Sequence, residues 1–276
     1  MRFQMFKKNS FKEIISSHVR WILLVTYAFI FKKRYIFLSP PHINNQVLLD
    51  RVKKTIFKLK IDGHIDYATL NQIYFKEDYD LKKLKRYPDI SSHYEILVKR
   101  GVTPLIVDCG GNIGLASRYF SDNYPNSKLL CIEPESGNLS KAIINNGKDV
   151  DFYEAAVGCE SGAGNLCDPG LGNNAFQVEQ NPLGELHILS INEILKSYPQ
   201  SKFAPFIIKI DIEGFESDLF LKNTDWIDFF PVLIIELHDW MLPRQKTSAN
   251  FLKRISELDR DFVFFSENIF SISNKI

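Results

Sequence analysis

The stretch "IVDCGGNIG", residues 106–114, decides how this chain is read. An apolar run ends in an acid, and three glycines follow within five residues. The run "PLIVDC" is too short for a helix and is bounded by Pro104 and the glycines, which predicts a buried strand. Gly110 and Gly111 permit positive φ and let a ligand approach the backbone closely, while Gly114 lets the following helix pack tightly on the sheet. The helix "LASRYFSDNY" would begin there with free N–H groups. The pattern is related to the dinucleotide fingerprint without being a clean G-x-G-x-x-G, and it lacks the Lys-Ser/Thr of a phosphate-binding P-loop.

Outward from this turn, strands and helices alternate. "KLLCIEP" is a second buried strand, "SGNLSKAIINNG" a helix closed by Gly147, and "VDFYEAAVG" a third strand. "PFIIKIDIEG" and "PVLIIELHD" follow, separated by a helical "FESDLFLKNTDWI", and "DFVFFSENIFSIS" reads as two strands around a Ser-Glu-Asn turn. Continuous apolar strands alternating with helices predict an α/β, doubly wound, mostly parallel sheet covered on both faces. Such sheets bind ligands beyond the carboxyl ends of their strands.

The residues at those ends carry the chemistry. Glu133 follows the second strand, 25 residues beyond Asp108, where an acid can accept hydrogen bonds from ribose hydroxyls. Lys209, Asp211 and Glu213 alternate with isoleucines, so the charged set shares one face. Three charges cannot easily be buried in mid-strand, which puts them at the rim of the cleft; the plainer reading of Lys209 is an ion pair with one of the acids. "LIIELHD" likewise puts Glu236 and His238 on one face, delivering an acid and histidine cluster to the same cleft. A histidine at a strand end facing acids is a candidate proton acceptor.

As an ordered set, "VDCGGNIG", "IEPESGNLSKAIINN", "YEAAVG", "IIKIDIEGFE" and "IIELH" resemble the FkbM-type methyltransferases over roughly residues 60–276. The resemblance implies a class I methyltransferase fold, Rossmann-like, with seven strands of which the last is antiparallel. It implies S-adenosyl-L-methionine as cofactor, with Asp108, Gly110, Gly111, Asn112 and Gly114 around its methionine end. Glu133 would hold the ribose hydroxyls with Pro134 and Asn138 close by, Glu154 and Ala155 would border the adenine, and Asp211 would sit beside the sulfonium and the acceptor. It also implies O-methylation of a hydroxyl on a sugar, glycan or related natural product, as in surface-polysaccharide pathways. Gly111 departs mildly from the family, which usually carries alanine or similar there.

A sugar hydroxyl needs a base or a metal to become a nucleophile. His238 is expected to be that base, with Asp211 or Glu213 orienting it or the acceptor. A Mg2+-assisted variant would use Asp211, Glu213 and His238. Two other function classes are compatible with the glycine turn: a nicotinamide-dependent oxidoreductase, which has no evident use for the acid cluster, and a non-catalytic cofactor-binding module recruited to membrane. The polar loop 168–184 is expected either to cover the acceptor site, with Asn173 and Asn174 as hydroxyl contacts, or to be a surface hairpin.

The chain has 276 residues, 45% hydrophobic and 24% charged, with a net charge of +1, which argues for a folded protein rather than disorder. The balance hides an asymmetry: residues 1–60 hold 13 Lys and Arg against two acids. Three regions are expected: a basic, apolar helical arm over 1–40, a strand/helix lead-in over 41–98, and the cofactor-binding core over 99–276. "WILLVTYAFIF", Trp21 to Phe31, is short of a membrane span at about 17 Å of helix. It reads as a packed or partner-facing helix, a helix lying in a membrane interface, or a span. Residues 1–60 are accordingly a candidate contact for a membrane surface or carrier lipid, with no nucleic acid expected. Cys109, Cys131, Cys159 and Cys167 show no metal-ligand spacing and suit a reducing, cytoplasmic setting, peripheral to membrane if the arm binds lipid.

Overall fold

The computed structural model describes residues 11–168, 170 and 176–276, with side chains from Ser16 onward. The chain divides into two compact units, Met1–Glu77 and Asp78–Ile276. The boundary therefore falls inside the segment 41–98 that the sequence presented as one lead-in.

In the first unit, α1 (Phe11–Ile30) precedes an antiparallel sheet of β1 (Tyr35–Phe37), β2 (Asn45–Asp50) and β3 (Thr55–Lys60). The buried side of α1 meets β1, where Trp21 donates from Nε1 to the Phe37 carbonyl at 2.9 Å. α2 (Gly63–Leu70) runs directly into a π-helical turn over Asn71–Lys76. The half-buried Arg34 guanidinium clamps the buried Asp50 at 2.8 Å and ties β1 to the end of β2.

The second unit opens with α3 (Tyr87–Lys99). Pro88 occupies its first turn, where a missing N–H costs nothing, so Ser91 and Ser92 lie inside the helix rather than at its start. The alternation then follows: β4 (Thr103–Cys109), α4 (Leu115–Asn123), β5 (Lys128–Ile132), α5 (Ser136–Asn145) and β6 (Val150–Tyr153). The third expected strand breaks at Glu154. β7 (Ala156–Gly158) turns away to join a second sheet with β8 (Gly162–Cys167), β9 (Gln177–Gln180) and β10 (Leu186–Ser190), in the order β7-β10-β8-β9. It can do so because Gly158 has no side chain: a Cβ there would lie 2.8 Å from Ile188.

After α6 (Ile191–Lys196), the main sheet resumes with β11 (Phe203–Ile210), the short α7 (Glu216–Leu219), β12 (Val232–Glu236), α8 (Ala249–Ile255), β13 (Arg260–Phe265) and β14 (Asn268–Ser273). The stretch expected as one helix after β11 is thus α7 and a separate 3-10 turn over Thr224–Phe229. The seven-stranded order is β13-β14-β12-β11-β4-β5-β6, and only β14 runs against its neighbours. The sheet is therefore mixed, with six parallel strands and one antiparallel.

Leu105, Val107, Leu130, Ile208, Ile210 and Ile235 make one side of the sheet's core, packed with Trp226, Phe230 and Phe251. Each such side chain contributes about 2 kcal/mol by leaving water. β4 and β11 are parallel neighbours, and the order of winding reverses at them: from β4 the chain adds β5 and β6 on one side, and from β11 it adds β12 on the other. That reversal is the topological switch point, and it places the cleft at the carboxyl ends of these two strands.

Candidate functional site

The loops after β4 and β11 are locked together at the switch point. The Asp211 N–H donates to the Cys109 carbonyl at 3.1 Å, and the Gly110 and Gly111 N–H groups both donate to the Ile132 carbonyl on β5. Gly110 has φ +76°, and a Cβ there would collide with the backbone carbonyl of Asp211; one on Gly111 would collide with the Cys131 sulfur. The bare sides of these two glycines thus face the protein's own neighbouring segments. Gly114 behaves as expected. Its φ is +76°, and a Cβ would lie 2.8 Å from Ala142, so glycine lets α4 sit against α5.

Asp108 does not line an open surface. It is fully buried, accepts from the Ser117 hydroxyl at 2.7 Å and lies 3.1 Å from Lys209 Nζ. Lys209 in turn donates to the Gly110 carbonyl at 2.7 Å and lies 3.4 Å from Asp211. Burial works against the ammonium, but Asp108 and Asp211 outweigh it and hold Lys209 charged. The plainer reading of Lys209 is the observed one, and through it Asp108 braces the glycine turn from behind.

One strand over, Glu133 reaches back. Its Oε2 accepts from the Asn112 N–H at 2.8 Å and its Oε1 from the Glu135 N–H at 3.0 Å. Burial raises this carboxyl to about 7, against the pull of those two donors and of Asn138. Asn112 itself has φ +47°, and its side-chain Oδ1 is buried with no hydrogen-bond partner. A buried acceptor without a donor costs free energy, so the Asn112 oxygen is free to accept from an N–H or O–H group brought to the turn. Pro134 is half-buried and Asn138 buried beside Glu133, while Glu154 is exposed and Ala155 buried at the break between β6 and β7.

The acid and histidine cluster assembles around the ends of β11 and β12: Glu236 closes β12, while Asp211, Glu213 and His238 lie in the turns just beyond the two strands. His238, 1% exposed, points Nε2 at Asp211 (3.5 Å), Glu213 (3.5 Å) and Glu236 (3.7 Å). Its other nitrogen, Nδ1, lies 2.8 Å from Oε1 of Glu216, a fully buried acid that opens α7. Sequence reasoning missed Glu216 because it lies beyond the strand, past the turn at Gly214 (φ +102°), where alternation no longer applies. The E-G-x-E spacing was the available signal. Tyr79, buried near Lys209 and Asp211, was also missed; burial keeps its phenol protonated.

Burial alone would lower the His238 pKa, but Glu216, then Asp211 and Glu213, raise it to about 9. Burial and Asp211 push Glu213 up to about 8 and Glu236 up to about 7. Glu213 also holds a left-handed φ of 54°, a strain of roughly 1–3 kcal/mol that recurs at functional positions. Asp211, Glu213 and His238 each offer one atom within 4.8 Å of the others. That donor set does not fit Mg2+, which takes oxygen ligands and retains water; an imidazole nitrogen suits zinc-like ions better.

The loop after residue 167 is in part a hairpin, β8 pairing with β9 antiparallel. Gln180 on β9 donates to Asp218 at 2.6 Å. Asn173 and Asn174 lie outside the described residues. The cysteines are unpaired by disulfides, with Cys109, Cys131 and Cys159 buried.

Compared with known proteins, residues 108–264, more than half of the chain, match the model of the methyltransferase FkbM domain. A Beauveria bassiana (strain ARSEF 2860) protein called methyltransferase 1 is 26% identical over 162 residues, covering 49% of this chain and 64% of that protein. The chain thus spans just under two thirds of that relative's length. Among solved structures, monomeric WbdD superposes with a TM-score of 0.39 at 11% identity, covering 69% of this chain and 41% of that one. Magnesium protoporphyrin IX methyltransferase from Synechocystis PCC 6803, with bound S-adenosylmethionine, gives a TM-score of 0.37 at 10% identity, covering 77% and 86%.

Proposed function

The chain belongs to the FkbM methyltransferase family, and on that premise we propose that it transfers a methyl group from S-adenosylmethionine to a hydroxyl of a sugar, glycan or related acceptor. The observation that carries the reading is the meeting, at one switch point, of a buried acid just after β5 with a partly open carboxylate rim at the ends of β11 and β12. Glu133 and the unpartnered Asn112 oxygen are the groups that would hold the cofactor. Bound there, S-adenosylmethionine supplies an electrophilic methyl group on a sulfonium.

The remaining work falls to the chain's own side chains. At neutral pH a histidine raised to about 9 is an imidazolium and cannot accept a proton. His238 is also shut off from the cleft, whereas the Glu213 carboxylate is 22% exposed. The base role foreseen for His238 therefore passes to Glu213. A carboxyl pushed to about 8 is deprotonated in a minority of molecules at neutral pH, a fraction that grows as pH rises, and in that form it is the open group of the rim that can act as general base. Glu213 takes the hydroxyl proton as the oxygen bonds to the methyl carbon, and later gives it to water. His238, fixed by Glu216, holds Glu213 and Asp211 in place by charge. Alignment of the hydroxyl with the methyl supplies several kcal/mol more.

The test is a calorimetric titration followed by methyl transfer from labelled S-adenosylmethionine to a panel of sugars. S-adenosylhomocysteine is expected to bind and NAD to give no heat; Glu133→Gln, losing charge-assisted hydrogen bonds, weakens binding by roughly 10- to 150-fold. Binding of NAD alone would make the chain an oxidoreductase, and binding of neither a non-catalytic module. Turnover unchanged by a chelator is the expected result; its loss would give Asp211, Glu213 and His238 to a metal.

A further inference from the structure

Most surface helices are apolar on one side only. α1 is apolar on both. Its inner side meets β1, and its outer side exposes Val19, Ile22, Leu23, Tyr27, Ile30 and Phe31. Arg20 is the sole Lys, Arg, Asp or Glu between Ser16 and Phe31. Contiguous exposed apolar surface of this kind marks a docking face.

The same end of the unit carries a basic rim. The β2–β3 turn is Arg51-Val52-Lys53-Lys54, all exposed, with Val52 68% exposed. The Arg51 N–H donates to the Arg34 carbonyl at 2.9 Å, and the Arg51 guanidinium lies 5.9 Å from the centre of the Phe29 ring. The turn therefore sits beside the carboxyl end of α1, next to exposed Lys32. Between Ser16 and Lys60 the sole acid is Asp50, which is buried and clamped by Arg34. The face is thus an apolar strip edged by cations with no exposed acid among them.

We propose that this face lies on an anionic lipid surface, with the outer side of α1 sunk into the headgroup boundary and Lys32, Arg51, Lys53 and Lys54 against the headgroups. A helix in that position needs apolar area on one side and cations at its edges. No helix among the described residues is long and apolar enough to cross a membrane, so α1 rests in the interface. The charge pattern decides against a second copy of the chain as occupant, since two such rims would repel.

Co-sedimentation of the full chain tests this. Vesicles of phosphatidylcholine and phosphatidylglycerol in equal parts should carry the protein down at low salt, and pure phosphatidylcholine vesicles much less. K32A/K53A/K54A should lower the partition coefficient on the order of a hundredfold. L23D/I30D should abolish it, and the melting temperature of each variant shows whether it has folded. Equal partition onto both vesicle types, or no loss in a folded triple variant, overturns the proposal. So does a concentration-dependent dimer that L23D/I30D dissolves while vesicles bind nothing. S-adenosylhomocysteine affinity is read alongside: if it persists while vesicle binding fails, the proposal falls and the methyltransferase reading stands.

Discussion

Glu216 and His238 form a closed pair behind the carboxylate rim, Oε1 lying 2.8 Å from Nδ1 with both side chains out of reach of water. The pair leaves only Nε2 to face Asp211, Glu213 and Glu236. Glu216→Gln should move the His238 titration, followed by NMR of the ring protons, down from about 9. It should lower kcat with little change in S-adenosylhomocysteine affinity. An unmoved titration would mean that Glu216 does not set the charge of His238.

Glu213→Gln keeps the shape of the cluster and removes the proton acceptor. Its expected effect is a loss of roughly 10²- to 10⁴-fold in kcat, with cofactor affinity retained. The wild-type rate should rise with pH through about 8, where this carboxyl titrates, and the rise should vanish in the variant. A variant that keeps both rate and pH profile returns the base role to another group.

Lys209→Met leaves Asp108 as a buried anion without its cation. Breaking a buried pair this way costs about 3–5 kcal/mol, measured as a lower urea midpoint. Adding Asp108→Asn to the same chain should restore part of that loss, because the stranded charge is then gone. A double variant no more stable than the single one would place the cost elsewhere, in the lost hydrogen bond to Gly110.

Stability itself should fall as pH rises. Glu133, Glu236 and Glu213 are raised from 4.5 to about 7, 7 and 8, and His238 from 6.5 to about 9. Each holds its proton more tightly folded than unfolded. The folded chain therefore binds more protons between about pH 4.5 and 9, and unfolding becomes easier across that window. Melting temperatures taken from pH 5 to 9 should decline, and Glu213→Gln should flatten the decline below about pH 8.

Much of this was legible because it is local. The buried run into Asp108, Glu133 at the next strand's end, and the arrival of Asp211, Glu213, Glu236 and His238 around the ends of two neighbouring strands follow from short apolar runs and strand direction alone. What escaped depends on distant neighbours. Gly110 and Gly111 are glycines because of Asp211 and Cys131, which no reading of the turn itself could reveal. The third strand splits because β7 finds a parallel partner in β10, about 30 residues later in the chain. The His238 pKa is raised because Glu216, on a short helix beyond the strand, sits behind it.

The contact of Gly110 with the Asp211 backbone has a consequence for how such a protein can change. Two loops that touch through a missing side chain cannot drift separately: a lengthened turn on either strand would displace the other. Changes of length are therefore constrained at these two turns, whereas the hairpin of β8 and β9 is held to α7 by the contact of Gln180 with Asp218 and takes no part in that joint.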